Sequence, residues 1–316
     1  MQFTTKIPVQ KSSFPIDYDS KIMLLGSCFA ENMGNKFDYF KFQATTNPFG
    51  IIFNAVSLEK LIRRAVENRM FTENDIFFHN DLWHCFEVHS ELSNPDKDAF
   101  LESLNDLIRL TNQQLNDSTH IIITLGTSWV YRNIESNEIV ANCHKVPQKQ
   151  FTKELLSINQ TEESLQSIIS LIHSVNPNCN FIFTVSPVRH IKDGFVENTL
   201  SKAHLVAALH FSISQLPSSN YFPAYEIMMD ELRDYRFYTE DMLHPNQTAI
   251  DYIWIQFFEN YISESEFGLM NEICSIQKGL KHRPFNPNTE SHQKFLNQLD
   301  LKIQTIQNQH PFIKFC

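Results

Sequence analysis

Lys21-Ile22-Met23-Leu24-Leu25-Gly26-Ser27-Cys28-Phe29-Ala30-Glu31-Asn32-Met33 is the stretch that decides the fold. Ile22 to Leu25 are uninterrupted apolar residues without polar alternation, so a strand there is buried on both faces, as in a parallel sheet covered by helices. Gly26-Ser27 stops the run, and from Glu31 to Phe40 the apolar residues recur at three- and four-residue spacing, the period of a helix with one buried face. Strand, tight turn, helix is the unit from which an α/β sheet is built.

Working outward, Ile121 to Leu125 and Phe181 to Val185 repeat the strand pattern, and Phe42 to Thr46 and Tyr221 to Tyr225 repeat it more briefly. Helical periodicity covers Leu58 to Asn68, Phe100 to Leu115, Thr161 to Ser174, Asn198 to Gln215 and Ala249 to Tyr261, with Ser57 and Thr161 as expected caps. The alternation predicts an α/β fold, a three-layer αβα sandwich with a mostly parallel central sheet. Ile76 to His89, around Asn80-Asp81, and Trp129 to Asn142, around Glu135-Ser136-Asn137, read as inserted hairpins beside strand exits. Residues 1–262 are expected to form the main domain. Residues 263–316 are polar and carry an amphipathic run at Phe295, Leu296, Leu299, Ile303 and Ile306, so a helical extension is expected, packed on the main domain or on a partner subunit.

Composition narrows the function. The net charge of −10 is spread along 316 residues without a basic run interleaved with aromatics, which argues against nucleic-acid binding. No stretch is apolar and long enough to span a bilayer, and the N-terminus lacks a secretory apolar core, so the expected location is cytoplasmic with no membrane partner. The six cysteines, Cys28, Cys85, Cys143, Cys179, Cys274 and Cys316, form no C-x-x-C pair or Cys/His ligand set; free thiols, no metal and no cofactor are expected. The pattern leaves the oligomeric state open.

Chemistry concentrates at two places. Ser27 stands at the carboxyl end of the first strand, where Gly26 permits close backbone approach and the following helix start offers unpaired N–H groups to a developing oxyanion. Taken alone, the same serine reads more readily as a helix cap. No G-x-x-x-x-G-K or G-x-G-x-x-G is present, which removes the main support for nucleotide binding. Near the other end, Asp241-Met242-Leu243-His244-Pro245 precedes the last helix of the main domain. An Asp three positions before a His in a loop can accept from its Nδ1–H, leaving Nε2 to take a proton from a nucleophile.

A serine just after the first strand and a D-x-x-H just before the last helix resemble the two ends of the SGNH, or GDSL-like, esterase and lipase pattern, whose sheet is flavodoxin-like. The chain more closely resembles the GSCFA family, a bacterial branch of that superfamily, through Gly26-Ser27-Cys28-Phe29-Ala30, Asn47-Pro48-Phe49-Gly50, Trp83 to Ser90, Leu125-Gly126-Thr127-Ser128-Trp129, Ala141 to Pro147 and Thr184-Val185-Ser186-Pro187-Val188-Arg189-His190. The resemblance covers roughly residues 20–260. It implies Ser27 as nucleophile, His244 as general base and Asp241 as the group orienting it. It also implies an oxyanion hole from the Ser27 N–H, the Gly50 N–H and an asparagine in a G-x-N-D block.

Here that block reads Gly126-Thr127-Ser128-Trp129, with serine in the place of asparagine. Asn47, Asn142 and the Thr127 and Ser128 hydroxyls are candidates to replace the missing donor. His89 and His144 could line the same pocket, and Arg189 could hold an anionic substrate group or form a salt bridge. The expected activity is ester hydrolysis through an acyl-Ser27 intermediate, removing small, acetyl-like acyl groups from a carbohydrate or metabolite. An acyltransferase with the same triad, a Cys28 nucleophile and a non-catalytic carbohydrate- or partner-binding module are the alternatives. Cys28, one position beyond Ser27, is expected to point away from the pocket.

Overall fold

The computed structural model describes residues 5–214 and 216–315, so Cys316 and Gln215, the expected last residue of one helix, lie outside the described residues. The chain runs β1 (Lys21–Gly26), α1 (Cys28–Tyr39), β2 (Gln43–Thr46), α2 (Ala55–Val66), a hairpin of β3 (Phe77–His79) and β4 (Leu82–His84), α3 (Lys97–Asp117) and β5 (His120–Leu125). Then follow β6 (Trp129–Asn133), β7 (Ile139–Val140), β8 (Phe151–Leu155), α4 (Ile158–Val175), β9 (Asn180–Val185), α5 (Phe195–Ile213) and β10 (Ser219–Tyr221). The short α6 (Ala224–Glu226) leads to α7 (Gln247–Tyr261), α8 (Phe267–Leu280) and α9 (Glu290–Gln309).

The central sheet has the order β2-β1-β5-β9-β10 and is parallel throughout. The chain leaves β1 for β2 on one side and returns to β5 on the other, so the crevice outside the carboxyl ends of β1 and β5 is the topological switch point where α/β sheets bind ligands. Ser27 and Gly126 are the first residues beyond those two ends.

Continuous apolar runs make sense because both faces are covered. Met23, Leu25, Ile121, Ile123, Phe181 and Phe183 pack under α2, α3, α4 and the inner side of α5. Ile22, Leu24, Ile122 and Ile182 pack instead against Phe37 of α1, Trp254 and Phe257 of α7, and Ile273 of α8. The three-layer α/β sandwich is therefore the fold. The extension belongs to the second core: Met270, Ile273, Ile276, Leu299 and Ile306 are all buried in it, and Gln277 Nε2 donates to Tyr39 O at 3.1 Å.

Three local expectations need correction. The strand expected over Tyr221 to Tyr225 ends at Tyr221, because Pro223 has no N–H for the ladder and α6 begins at Ala224. Helices α2 and α4 begin earlier than their apolar periodicity and are capped by Asn54, which accepts from Ser57 N at 2.8 Å, and by Ser157 in a reciprocal box with Gln160, rather than by Ser57 and Thr161. The first hairpin turns on Asn80 and Asp81, both left-handed as a type I′ turn requires. The second is extended by β8, giving the order β7-β6-β8, a strand the sequence hides because only Phe151 of its five residues is buried.

Gly26 has φ +129°, and a Cβ there would stand 2.0 Å from Thr124 O, so neither conformation nor space admits a side chain. Gly26→Ala is expected to cost about 3 kcal/mol or more through strain and overpacking, measured as a lowered urea midpoint. Gly268→Ala, with nothing within 4 Å of the added methyl, is expected to be neutral or to stabilise by up to ~1 kcal/mol.

Candidate active site

The site is assembled by one face of α5. Asn198, Ser201 and Lys202 are buried polar residues three and four positions apart, so they share the inward stripe of the helix. Each one holds a strand-exit loop. Asn198 Oδ1 accepts from His190 N at 2.8 Å, Ser201 Oγ accepts from Ser128 N at 2.7 Å, and Lys202 Nζ donates to Gly126 O at 2.8 Å and Ser186 O at 2.7 Å. Lys202 ties the end of β5 to the end of β9. Burial pushes its ammonium down to about 7, and the neutral amine still has two N–H donors for the two carbonyls, so losing the proton breaks neither bond.

Ser27 lies across the switch point from these loops and is fully buried. Its Oγ accepts from Phe29 N at 3.3 Å, so it caps α1. Among the described residues no hydrogen bond joins it to His244. The Ser27 N–H donates to Thr124 O at 3.0 Å, continuing the β1–β5 ladder, and is not free for an oxyanion. The neighbouring Cys28 is less buried than Ser27. Burial and then the Glu31 carboxylate push its thiol up, against the opposing pull of Lys202 and of the Cys28 and Phe29 amides.

The carboxylate–imidazole contact expected from the D-x-x-H spacing is present. Asp241 Oδ2 lies 2.5 Å from His244 Nδ1, and Asp241 Oδ1 accepts from Thr239 Oγ1 at 2.7 Å, Leu243 N at 2.9 Å and His244 N at 3.0 Å. Led by the His244 N–H, these donors hold the carboxyl far below the usual carboxylate range. The loop is closed by Thr239 N donating to His244 O at 2.8 Å and is tied to the β9 exit by Arg189 N donating to Leu243 O at 3.3 Å. Both side chains remain nearly half exposed, at 44% and 47%.

Several expected roles change. The Gly50 N–H closes the Asn47–Gly50 turn on Asn47 O at 2.8 Å, so it is not an available oxyanion donor. Thr127 Oγ1 is engaged with Ser201 Oγ and Trp129 N, and Ser128 Oγ donates to Ser201 O; these hydroxyls fasten the loop to α5 and do not face an oxyanion. Asn142 Oδ1 accepts from its own loop at His144 N, and His144 Nε2 bonds Cys85 O at 2.7 Å. That pair lines a separate cleft of about 280 Å³ with His84, Asn80 and Lys145. Burial pushes the His144 imidazole down to about 4.

Asn47 is the candidate that remains. Its Oδ1 accepts from Gly26 N at 2.8 Å, while its buried Nδ2 completes no well-formed hydrogen bond; the Glu31 carboxylate, pushed up by burial and drawn back by this amide, is the acceptor beside it. His89 stands beside it, its Cβ against Gly50 and its Nδ1 3.6 Å from Glu91. Arg189 forms no salt bridge among the described residues; its guanidinium lies 5.6 Å from the Tyr238 ring centroid and beside Met229 Sδ.

With this geometry in place, the comparison with known families is decisive. Residues 21–257, three-quarters of the chain, match the GSCFA family. The chain belongs to the GSCFA family. Residues 273–315 match the C-terminal domain of GSCFA domain proteins, which falls within α8, α9 and the residues after them. No curated protein matches the chain.

Lys202, Ser201 and Asn198 are the residues of this GSCFA site that sequence reading passed over. Their signal is present: polar residues occupy the stripe that Leu205 and Leu209 continue into the core. Between about pH 7 and the unfolded lysine value of about 10.4, the unfolded chain binds a proton at Lys202 that the folded chain does not, so stability gained from this residue rises with pH. The unfolding free energy of the native protein relative to Lys202→Met is therefore expected to increase from pH 7 to 9.5 in urea titrations. A constant difference would exclude a depressed lysine.

Proposed function

We propose that this GSCFA protein is an SGNH-type serine esterase that forms an acyl-Ser27 intermediate, taking small acyl groups from a carbohydrate or metabolite. The Asp241–His244 pair carries the reading. Four donors converge on Asp241, so its carboxylate stays ionised, fixes the His244 Nδ1–H tautomer and leaves Nε2 to act as base.

In this mechanism a turn of the Ser27 side chain away from Phe29 N brings Oγ to His244 Nε2. Nε2 takes the hydroxyl proton as Oγ attacks the ester carbonyl, and then returns it to the leaving alkoxide oxygen. Water, activated by the same imidazole, releases the acid. Asn47 Nδ2, fixed to the Ser27 turn through Gly26, is placed to donate to the tetrahedral oxyanion. The unpaired Arg189, tied to the His244 loop, favours an acyl acceptor or leaving group that carries a negative charge. Transfer to an alcohol in place of water is a second outcome of the same chemistry, decided by which acceptor reaches the acyl-enzyme.

Cys28 is the competing nucleophile, because it is the less buried of the two. Its raised pKa leaves it protonated near neutrality and argues for serine. Ser27→Ala is expected to abolish labelling by a fluorophosphonate probe and hydrolysis of p-nitrophenyl acetate, while Cys28→Ala stays within a few-fold of the native rate. The reverse pattern assigns the thiol.

Asp241→Asn is expected to lower kcat by about 10³–10⁴. Held far below the usual carboxylate range, Asp241 stays ionised at working pH and contributes no limb of its own to the pH–rate profile.

A further inference from the structure

His190 belongs to none of the roles assigned so far, yet it sits between the two halves of the site. Its peptide N–H is held by Asn198 on α5. Its ring meets the Phe53 ring edge-on at 5.3 Å between centroids. Its Nε2 lies 3.4 Å from where a Cβ on Gly126 would stand. Gly126 is the glycine of the block whose asparagine is missing, and its strand β5 pairs directly with β1, the strand that ends at the Ser27 turn. On the other side, the residue before His190 bonds the His244 loop. The imidazole thus packs at the exits of β5 and β9, against Gly126 and one residue from the backbone bond that holds the His244 loop.

Its Nε2 is buried and has no hydrogen-bond partner in this structure. A buried ring nitrogen without a partner costs free energy unless something else engages it. The only other such nitrogen beside the Ser27 turn, among the described residues, is Asn47 Nδ2, which approaches from the β2 side. The two belong to segments on either side of the Ser27 turn: Asn47 is bonded to Gly26 from the β2 side, and His190 lies against Gly126 at the β5 exit.

We propose that the His190 Nε2–H is the oxyanion donor that replaces the asparagine of the G-x-N-D block, completing a hole with Asn47 Nδ2. This rests on the serine-esterase reading. A neutral imidazole serves as such a donor when its proton is on Nε2. Burial, with the positive Lys202 and then His244 nearby, pushes His190 down to about 3, which keeps it neutral. Unlike the proposed base, His244, whose Nδ1 lies 2.5 Å from the Asp241 carboxylate, His190 has no carboxylate on its ring among the described residues.

Three variants test the assignment with p-nitrophenyl acetate and a fluorophosphonate probe on the full chain. His190→Ala and His190→Phe, the second keeping a ring against Phe53, are expected to lose about 10²–10³-fold in kcat with KM within a few-fold. His190→Gln, which restores an N–H donor, is expected to recover at least about tenfold of that loss. Its acid limb should stay where the native enzyme has it. Thermal melts and circular dichroism report that each variant is folded.

Native-like kcat in His190→Phe, an equal loss in all three folded variants, or a shifted acid limb in His190→Gln would each overturn the assignment while leaving the esterase intact. Should the native protein show no Ser27-dependent labelling, the esterase reading fails, and this inference falls with it.

Discussion

A fully buried lysine with no salt-bridge partner among the described residues organises the carboxyl edge of this sheet. Taking an ammonium out of water costs several kcal/mol, and Lys202 offsets that cost in two ways. It gives hydrogen bonds to Gly126 O and Ser186 O, two strand-end carbonyls that would otherwise be buried without donors. It also sheds its proton easily, and the neutral amine keeps both bonds. The consequence is geometric: the exits of β5 and β9 are locked to each other and to α5, and the loops that continue from them carry Gly126, Arg189 and His190.

The other half of the site depends on Gly26. With no Cβ it lets β1 approach Thr124 closely, and its N–H fixes Asn47, so the Ser27 turn and the β2 exit move as one unit. The Asp241–His244 loop meets this rigid floor through one backbone bond from Arg189 and is otherwise held by its own internal bonds. A firm, sealed floor beneath a half-exposed base is an arrangement in which opening for substrate falls on the loop rather than on the sheet.

Much of this could be read from the amino acids. Uninterrupted apolar runs at Ile22–Leu25, Ile121–Leu125 and Phe181–Val185 announce doubly covered strands, and the D-x-x-H spacing announces a carboxylate on an imidazole, because both signals depend on residues close in sequence. The misses share the opposite property. Gly50 and Ser128 resemble oxyanion-hole positions, but whether an N–H or hydroxyl is free depends on partners far away, Asn47 O in one case and Ser201 in the other. Lys202 is invisible to a periodicity argument that treats charge as exposure, and β8 is invisible because only one of its residues, Phe151, is buried. Caps at Asn54 and Ser157 lie beyond the apolar pattern that marks α2 and α4.

The displaced asparagine follows from the same logic. In the Gly126-Thr127-Ser128 block both hydroxyl side chains turn toward Ser201, and the Ser128 amide joins them. That loop is thereby committed to binding α5, and a side chain committed to a helix cannot also face the crevice. The burden of presenting a donor passes to the next strand exit, where α5 holds the backbone of His190 through Asn198 and leaves the ring nitrogen unpaired against Gly126. One helix face thus closes the position where an asparagine would stand and, in the proposed site, holds its replacement, which makes the departure from G-x-N-D a single concerted change in that reading rather than the loss of a residue.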